Sequence, residues 1–348
     1  MNRFPPHIQI DGRRIGPGFP CYIIAEGGVN HFGDRKKAIR LVDMAVAAKA
    51  DAFKTQHFKT DRLVGSSAPE WRERLRSKEL PDDAMKELQR ECQRRSITFL
   101  CTPHDEIALD FITEALKVPA IKVGSGEVEN WSFLKKIARS GRPVILSTGM
   151  YELFQVKEAI QVLEDNGCNE LAVLHCVTEY PADPADINLK VMDQIRSFFP
   201  GPVGYSDHTA GTAVPLAAVA LGADIIEKHI TLDRNVPNAH DWKVSCGPEN
   251  FHRFVMDIRD VEKALGGHGK TLSANERKSM QWARKSLVLI RDVSPGDVLT
   301  EEMLIAQRPG DGIPPSRIDS VAGKRAKRFL PSGTVIKMED LSGEMSSE

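Results

Sequence analysis

Several residues able to do chemistry stand directly at the ends of short apolar runs in this sequence. Lys54 follows Ala52-Phe53 and Lys122 follows Ala120-Ile121. A lysine in such a place is costly unless it faces an anion. Two of them, with Ser125, Ser147 and Ser206 as hydroxyl donors, describe a pocket for a phosphate plus a carboxylate; the alternative is a pair of solvated rim lysines. The turn Lys122-Val-Gly-Ser-Gly-Glu127 brings backbone N–H groups toward the same anion. Glu26 and Glu127 are candidate general acid/base groups, or else ion partners of the nearby lysines. His208 and His229 each close an apolar run, and an alanine-rich helical stretch over 209–221 joins them. Such a β-α-β unit makes the two strands parallel, and neighbouring strands lie about 4.8 Å apart. Two imidazoles at matching ends can then share one divalent ion, whereas a lone histidine there more often packs by hydrogen bonding.

These residues recur at regular intervals because strands and helices alternate. Strands are expected over 21–25, 51–56, 97–101, 120–123, 143–147, 171–175, 202–208 and 223–229. The helices between and after them are expected over 34–49, 81–95, 106–116, 132–139, 153–166, within 189–198, 209–221 and 248–265. Eight such repeats predict a (β/α)8 TIM barrel, with its active site at the C-terminal ends of the strands. The other fold considered, a doubly wound sheet, would show a glycine-rich phosphate turn after its first strand. Here that turn reads Glu26-Gly27-Gly28-Val29-Asn30-His31. A hairpin around Asp11-Gly12 precedes the barrel. The barrel domain is assigned to 1–266, a linker with a charged, helix-like stretch to 267–285, and a small β-rich domain to 286–348. The basic run Lys324-Arg-Ala-Lys-Arg328 reads as a solvated face.

Composition narrows the class. The 348 residues carry a net charge of −1 and are 41% hydrophobic, which gives no basic excess for nucleic acid and no acidic tail. No run approaches a membrane span and the N-terminus lacks an apolar signal core. The 6 cysteines form no C-x-x-C pair, as expected of reduced core residues in a cytoplasmic enzyme.

With these motifs assembled, the chain resembles the sialic acid (N-acetylneuraminate) synthase family. The resemblance rests on Ala25-Glu-Gly-Gly-Val-Asn-His31, Phe53-Lys-Thr-Gln56, Thr102-Pro103, Ile121-Lys-Val-Gly-Ser-Gly-Glu127 and Ser147-Thr-Gly-Met150. It continues through Leu174-His-Cys176 with Tyr180-Pro181, Tyr205-Ser-Asp-His-Thr209 and Glu227-Lys-His229. The C-terminal part, with Arg308-Pro-Gly-Asp-Gly312, resembles the antifreeze-like (SAF) domain that ends these synthases. The resemblance implies condensation of phosphoenolpyruvate with an N-acetylated aminosugar to a nine-carbon ulosonic acid and phosphate. It implies that Lys54, Lys122, Ser125, Ser147 and Ser206 hold phosphoenolpyruvate and that Glu26 is the acid/base group; with Lys122 and the candidate Glu127 it makes up the expected catalytic set. Gln56, Thr178, Tyr180 and Asp241 would face the aminosugar, and Arg308 would reach the partner's sugar site in a domain-swapped homodimer. His208 and His229 would hold a divalent metal, usually Mn²⁺, with Mg²⁺ or Co²⁺ as alternatives, that polarises the sugar carbonyl as a Lewis acid. The loop Pro237-Asn-Ala-His-Asp241-Trp-Lys-Val-Ser-Cys246 departs from the family's usual Pro-Gly-Pro-Asp. The acceptor is therefore left among N-acetylmannosamine, its 6-phosphate and a diacetamido hexose. The rival readings are a related phosphoenolpyruvate aldol-type synthase making a shorter sugar acid, and a non-catalytic binding protein.

Overall fold

In the computed structural model, residues 3–237, 239–267 and 269–342 are described. The chain divides into two compact units, 1–266 and 267–348. The first is a closed barrel of eight parallel strands: β1 (Tyr22–Gly28), β2 (Ala52–His57), β3 (Thr98–Pro103), β4 (Ile121–Val123), β5 (Val144–Ser147), β6 (Leu171–Cys176), β7 (Val203–Asp207) and β8 (Ile225–His229). Each strand pairs with the next, and β8 closes on β1. The expected TIM barrel is thus observed.

Strand side chains alternate between two faces, and the alternation explains the whole architecture. The outward set includes Ile23, Phe53, Phe99, Ile121, Val144, Val173 and Ile226, which pack with the surrounding helices in one large core. The inward set includes Tyr22, Ile24, Ala52, Leu100, Ala120, Ile145, Leu174 and Ile225, which form a second core inside the barrel. Ile8, Ile10 and Ile15 belong to that inner core. They come from the N-terminal hairpin, Ile8–Ile10 against Arg13–Ile15, which therefore plugs the end of the barrel where the strands begin. Gly204 stands in the same layer, where an added Cβ would lie 2.3 Å from the Ile225 carbonyl and 2.8 Å from Leu174.

Two residues further along each strand the inward positions turn polar. Ile24 is followed by Glu26, Ala52 by Lys54, Leu100 by Thr102 and Ala120 by Lys122. Ile145 is followed by Ser147, Leu174 by Cys176, Gly204 by Ser206 and Ile225 by Glu227. A ring of chemically capable groups thus sits one layer above an apolar plug, shielded from water beneath.

Behind that ring, on the outer face of β7 and β8, lies a buried ion pair. Lys228 Nζ is 2.5 Å from Asp207 Oδ2 and donates to the Thr209 carbonyl at 2.8 Å. Asp207 Oδ1 accepts from the Tyr205 hydroxyl, the Thr209 amide and the Thr209 hydroxyl at 3.0, 3.0 and 2.8 Å. Thr209 is held by this network, which is why the helix expected over 209–221 begins only at Ala213–Ala220.

The small unit has its own core, including Leu287, Leu289, Val293, Leu299, Val321 and Leu330. Its strands Ser286–Leu289 and Leu304–Gln307 pair antiparallel. The stretch read as a linker holds the helix Ala274–Ala283. Its end is tied into this unit, because the Gly310 amide donates to the Gln281 carbonyl at 2.8 Å and Arg308 Nε to the Ala283 carbonyl at 3.1 Å.

Candidate active site

The strand ends open into a cavity of about 370 Å³, a size that suits small-molecule ligands. Glu26, Lys54, Gln56, Lys122, Ser125, Ser147, Thr178, Tyr180, Ser206, Asp241, His208 and His229 all line it.

Its floor is the polar ring. Lys54 Nζ lies 2.8 Å from Glu26 Oε2 and donates to Thr102 Oγ1 at 3.1 Å. Lys122 Nζ donates to Ser147 Oγ at 2.6 Å and to the Val123 carbonyl at 3.1 Å. Both lysines and Glu26 are almost fully buried, so each charge is held by its partners rather than by water. Burial pushes the Glu26 carboxyl up to about 7, with Lys54 acting against that rise. A group poised there can both take and give a proton near neutrality. Gln56 Nε2 donates to Glu26 Oε1 at 3.3 Å, and His104 Nε2 lies 3.3 Å from Gln56 Oε1, which fixes the amide between them. Burial lowers His104 to about 4, which leaves its ring neutral.

One wall carries the histidines. The rings of His208 and His229 are 5.4 Å apart. His208 Nδ1 lies 2.7 Å from the Val177 carbonyl, an arrangement that makes it the donor and turns Nε2 toward the cavity. The Tyr180 hydroxyl lies 2.9 Å from that Nε2, and its ring stacks on His208 at 4.1 Å. Burial holds His229 well below its ordinary value, so it stays neutral as a metal ligand must. Its Nδ1 is buried without a hydrogen-bond partner and lies 3.9 Å from Asp241 Oδ2. Among the described residues no three His, Cys, Asp or Glu side chains converge as a ready-made metal centre. Two imidazoles with a carboxylate nearby fit a divalent ion that completes its shell with water or substrate oxygens; burial opposes a proton on His208, but Cys176 beside it raises His208 above its ordinary value, so an ion would displace a proton there.

Close backbone approach shapes the rest. A Cβ on Gly149 would lie 2.1 Å from Thr178 Oγ1 and 2.8 Å from Ser125 Oγ, so glycine alone lets those hydroxyls converge. The Gly149 amide donates to Ser125 Oγ at 2.9 Å.

One expected site residue lies outside the cavity lining. Glu127 does not line the cavity. The turn Ser125–Glu127 carries its carboxylate to Asn130 Nδ2, at 2.7 Å. Arg308 belongs to the small unit. Ser206 spends its hydroxyl proton on Glu227 Oε1 at 3.1 Å, so toward an anion it offers no free donor. Of the polar residues in the family-like motifs, Asn30 donates to the Ile230 carbonyl and His175 Nε2 lies 2.6 Å from the Ile187 carbonyl; both fix loops.

The site also contains residues with no assigned role in the sequence reading. Glu227 and Cys176 occupy the polar ring, and the step from an inward apolar residue to the second residue beyond it would have found both. Trp71, Arg74 and Lys78 line the cavity from the helix Pro69–Arg76 and the residues just after it. That helix buries none of its residues, so no apolar periodicity announces it.

Comparison with known proteins agrees with this architecture. The model of the NeuB family matches residues 41–270, and that of the SAF domain matches residues 284–342. The chain is 39% identical over 330 residues to N,N'-diacetyllegionaminic acid synthase of Campylobacter jejuni, covering 90% of this chain and 98% of that protein. It is 37% identical over 345 residues to N-acetylneuraminate-9-phosphate synthase of Homo sapiens, covering 95% of each. The crystal structure of N-acetylneuraminic acid synthetase from Leptospira borgpetersenii superposes with a TM-score of 0.73 at 32% identity, covering 80% of this chain and 97% of that one. The chain therefore belongs to the NeuB family, with a SAF domain at its C-terminal end.

Proposed function

We propose that this enzyme condenses phosphoenolpyruvate with an N-acylated aminosugar, releasing phosphate and a nonulosonic acid. The observation that carries the reading is the buried ring in which Lys54, Lys122 and Ser147 converge on the cavity floor while Glu26, near neutrality in its proton affinity, stands beside His229 and its neighbour His208. Lys54 and Lys122 hold the phosphate and carboxylate of phosphoenolpyruvate, and their hydrogen bonds to Thr102 and Ser147 fix their direction. Because this layer is dry, the lysines act at low dielectric and need no reorganisation during reaction. His208 and His229 hold a divalent ion, Mn²⁺ by preference, which supplies Lewis-acid activation of the sugar's aldehyde. C3 of phosphoenolpyruvate forms the new bond to the aldehyde carbon, and Glu26 delivers the proton that the former carbonyl oxygen requires. Water adds at C2, and phosphate leaves with its bridging oxygen. Gln56, Tyr180, Thr178 and Asp241, which line the cavity, read the sugar's hydroxyl and acylamino groups in this scheme.

Arg308 is assigned to a partner subunit's sugar site in a homodimer. The 6 unpaired cysteines suit a cytoplasmic setting, and among the described residues no helix is long and apolar enough to cross a membrane. Phosphate release is to be measured with Mn²⁺ and a panel of acceptors: N-acetylmannosamine, its 6-phosphate, diacetamido hexoses and unacylated tetrose and pentose phosphates. Turnover with an acylated hexosamine is expected. Turnover confined to the unacylated sugars, or none at all, would overturn the proposal.

A further inference from the structure

Glu227 has a place in the floor that the scheme above leaves unused. Its side chain is 5% exposed. Oε1 accepts from Ser206 and lies 3.7 Å from Lys122 Nζ, while Oε2 lies 3.6 Å from Lys54 Nζ and has no hydrogen-bond partner. Direct charge-assisted hydrogen bonds run to about 2.7–2.9 Å, so Glu227 is fully paired with neither lysine. Each ammonium has its close partners elsewhere, Lys54 in Glu26 and Thr102 and Lys122 in Ser147 and a carbonyl. Register contributes as well: Glu227 pairs with Ser206 across β7 and β8, which brings the serine hydroxyl alongside the carboxylate.

We infer that Glu227 is a positioning residue, a counter-ion shared by Lys54 and Lys122 that holds the two ammonium groups in place so that each meets one end of a two-headed anion. Two like charges in a water-poor layer repel strongly, and a carboxylate set at nearly equal distance from both opposes their drift. The long, nearly equal contacts let Glu227 act on both charges at once, beside the closer Glu26 carboxylate on Lys54. The identity of that anion as phosphoenolpyruvate rests on the function proposed above; the positioning role does not.

The test separates the two heads. Inorganic phosphate and pyruvate serve as probes, each carrying one head, and their binding to the full chain is measured by calorimetry. In Glu227→Gln, which keeps the shape and removes the charge, both probes are expected to weaken together by at least tenfold. In Glu227→Asp, which keeps the charge, both are expected to recover together in part. Weakening of a single probe would show that Glu227 serves one lysine and would overturn the inference. Unchanged binding with a lowered melting temperature would reduce it to a structural residue, and tighter binding would show that its charge opposes the ligand. A wild-type chain that binds neither probe would overturn it too. If no acylated hexosamine is turned over but both probes weaken together, the proposed reaction fails and the shared counter-ion stands.

Discussion

The Lys228–Asp207 pair allows a prediction that reverses ordinary additivity. Both side chains are at most 1% exposed and sit immediately before His229 and His208. Lys228→Met leaves the Asp207 carboxylate with its three neutral donors and one carbonyl without its donor. Removing one member of a buried pair costs about 3–5 kcal/mol. Asp207→Leu is worse. It strands the ammonium and also the Tyr205 hydroxyl, the Thr209 amide and the Thr209 hydroxyl, each worth about 1–3 kcal/mol when left unpaired. The loss should exceed about 5 kcal/mol, near the whole stability of a typical domain. Adding Lys228→Met to Asp207→Leu removes the stranded charge while the neutral donors stay unpaired. The double variant is therefore expected to be more stable than Asp207→Leu alone. Urea unfolding gives the order, and hydrogen exchange on peptides spanning 203–209 and 225–231 localises the effect to the two strands. A double variant as unstable as the sum of its singles would refute the reasoning.

Other expectations concern the site and the loops that frame it. Glu26→Gln should lower kcat by about 10²–10⁴-fold, the usual contribution of a placed acid/base group, with the parent's circular dichroism and a lowered melting temperature because Lys54 loses its buried partner; near-normal turnover would exclude Glu26 from proton transfer. His208→Ala should abolish high-affinity Mn²⁺ binding, read by the loss of free-ion electron paramagnetic signal on titration, while circular dichroism stays that of the parent. Burial lowers the His31 imidazole to about 4. A histidine depressed in the folded state contributes stability that is complete above its unfolded value near 6.5 and is lost as pH falls from there toward 4. The His31 share approaches about 3 kcal/mol at the bottom of that window, so His31→Gln should flatten the decline of unfolding free energy between pH 6.5 and 4, and an unchanged slope would refute the assignment.

The barrel was legible because its strands are apolar on both faces and end abruptly in charge. Lys54, Lys122 and Glu26 could be read as site residues because each stands two residues beyond an inward apolar position, whereas Lys228 and Asp207, one residue off that phase, pair behind the ring. Glu127 was not separable in this way. It follows the same strand end as Lys122, and only the turn Ser125–Glu127 decides that its carboxylate faces Asn130. Trp71, Arg74 and Lys78 were invisible because their stretch faces the cavity and solvent and so lacks a periodic apolar stripe. The late start of the helix Ala213–Ala220 was hidden for a related reason, since propensity cannot show that Thr209 is held by a distant lysine.

The isoleucine plug has a kinetic meaning beyond its contribution to the core. It makes the barrel a blind-ended vessel, loaded and emptied at the end where the polar ring lies. Whatever binds to Lys54 and Lys122 must pass the histidine wall before a second molecule settles there, and anything released at the floor leaves along the path of entry. A vessel of this kind enforces a queue. Order of addition is thus written into the fold by three residues of the N-terminal hairpin, Ile8, Ile10 and Ile15, that touch no substrate.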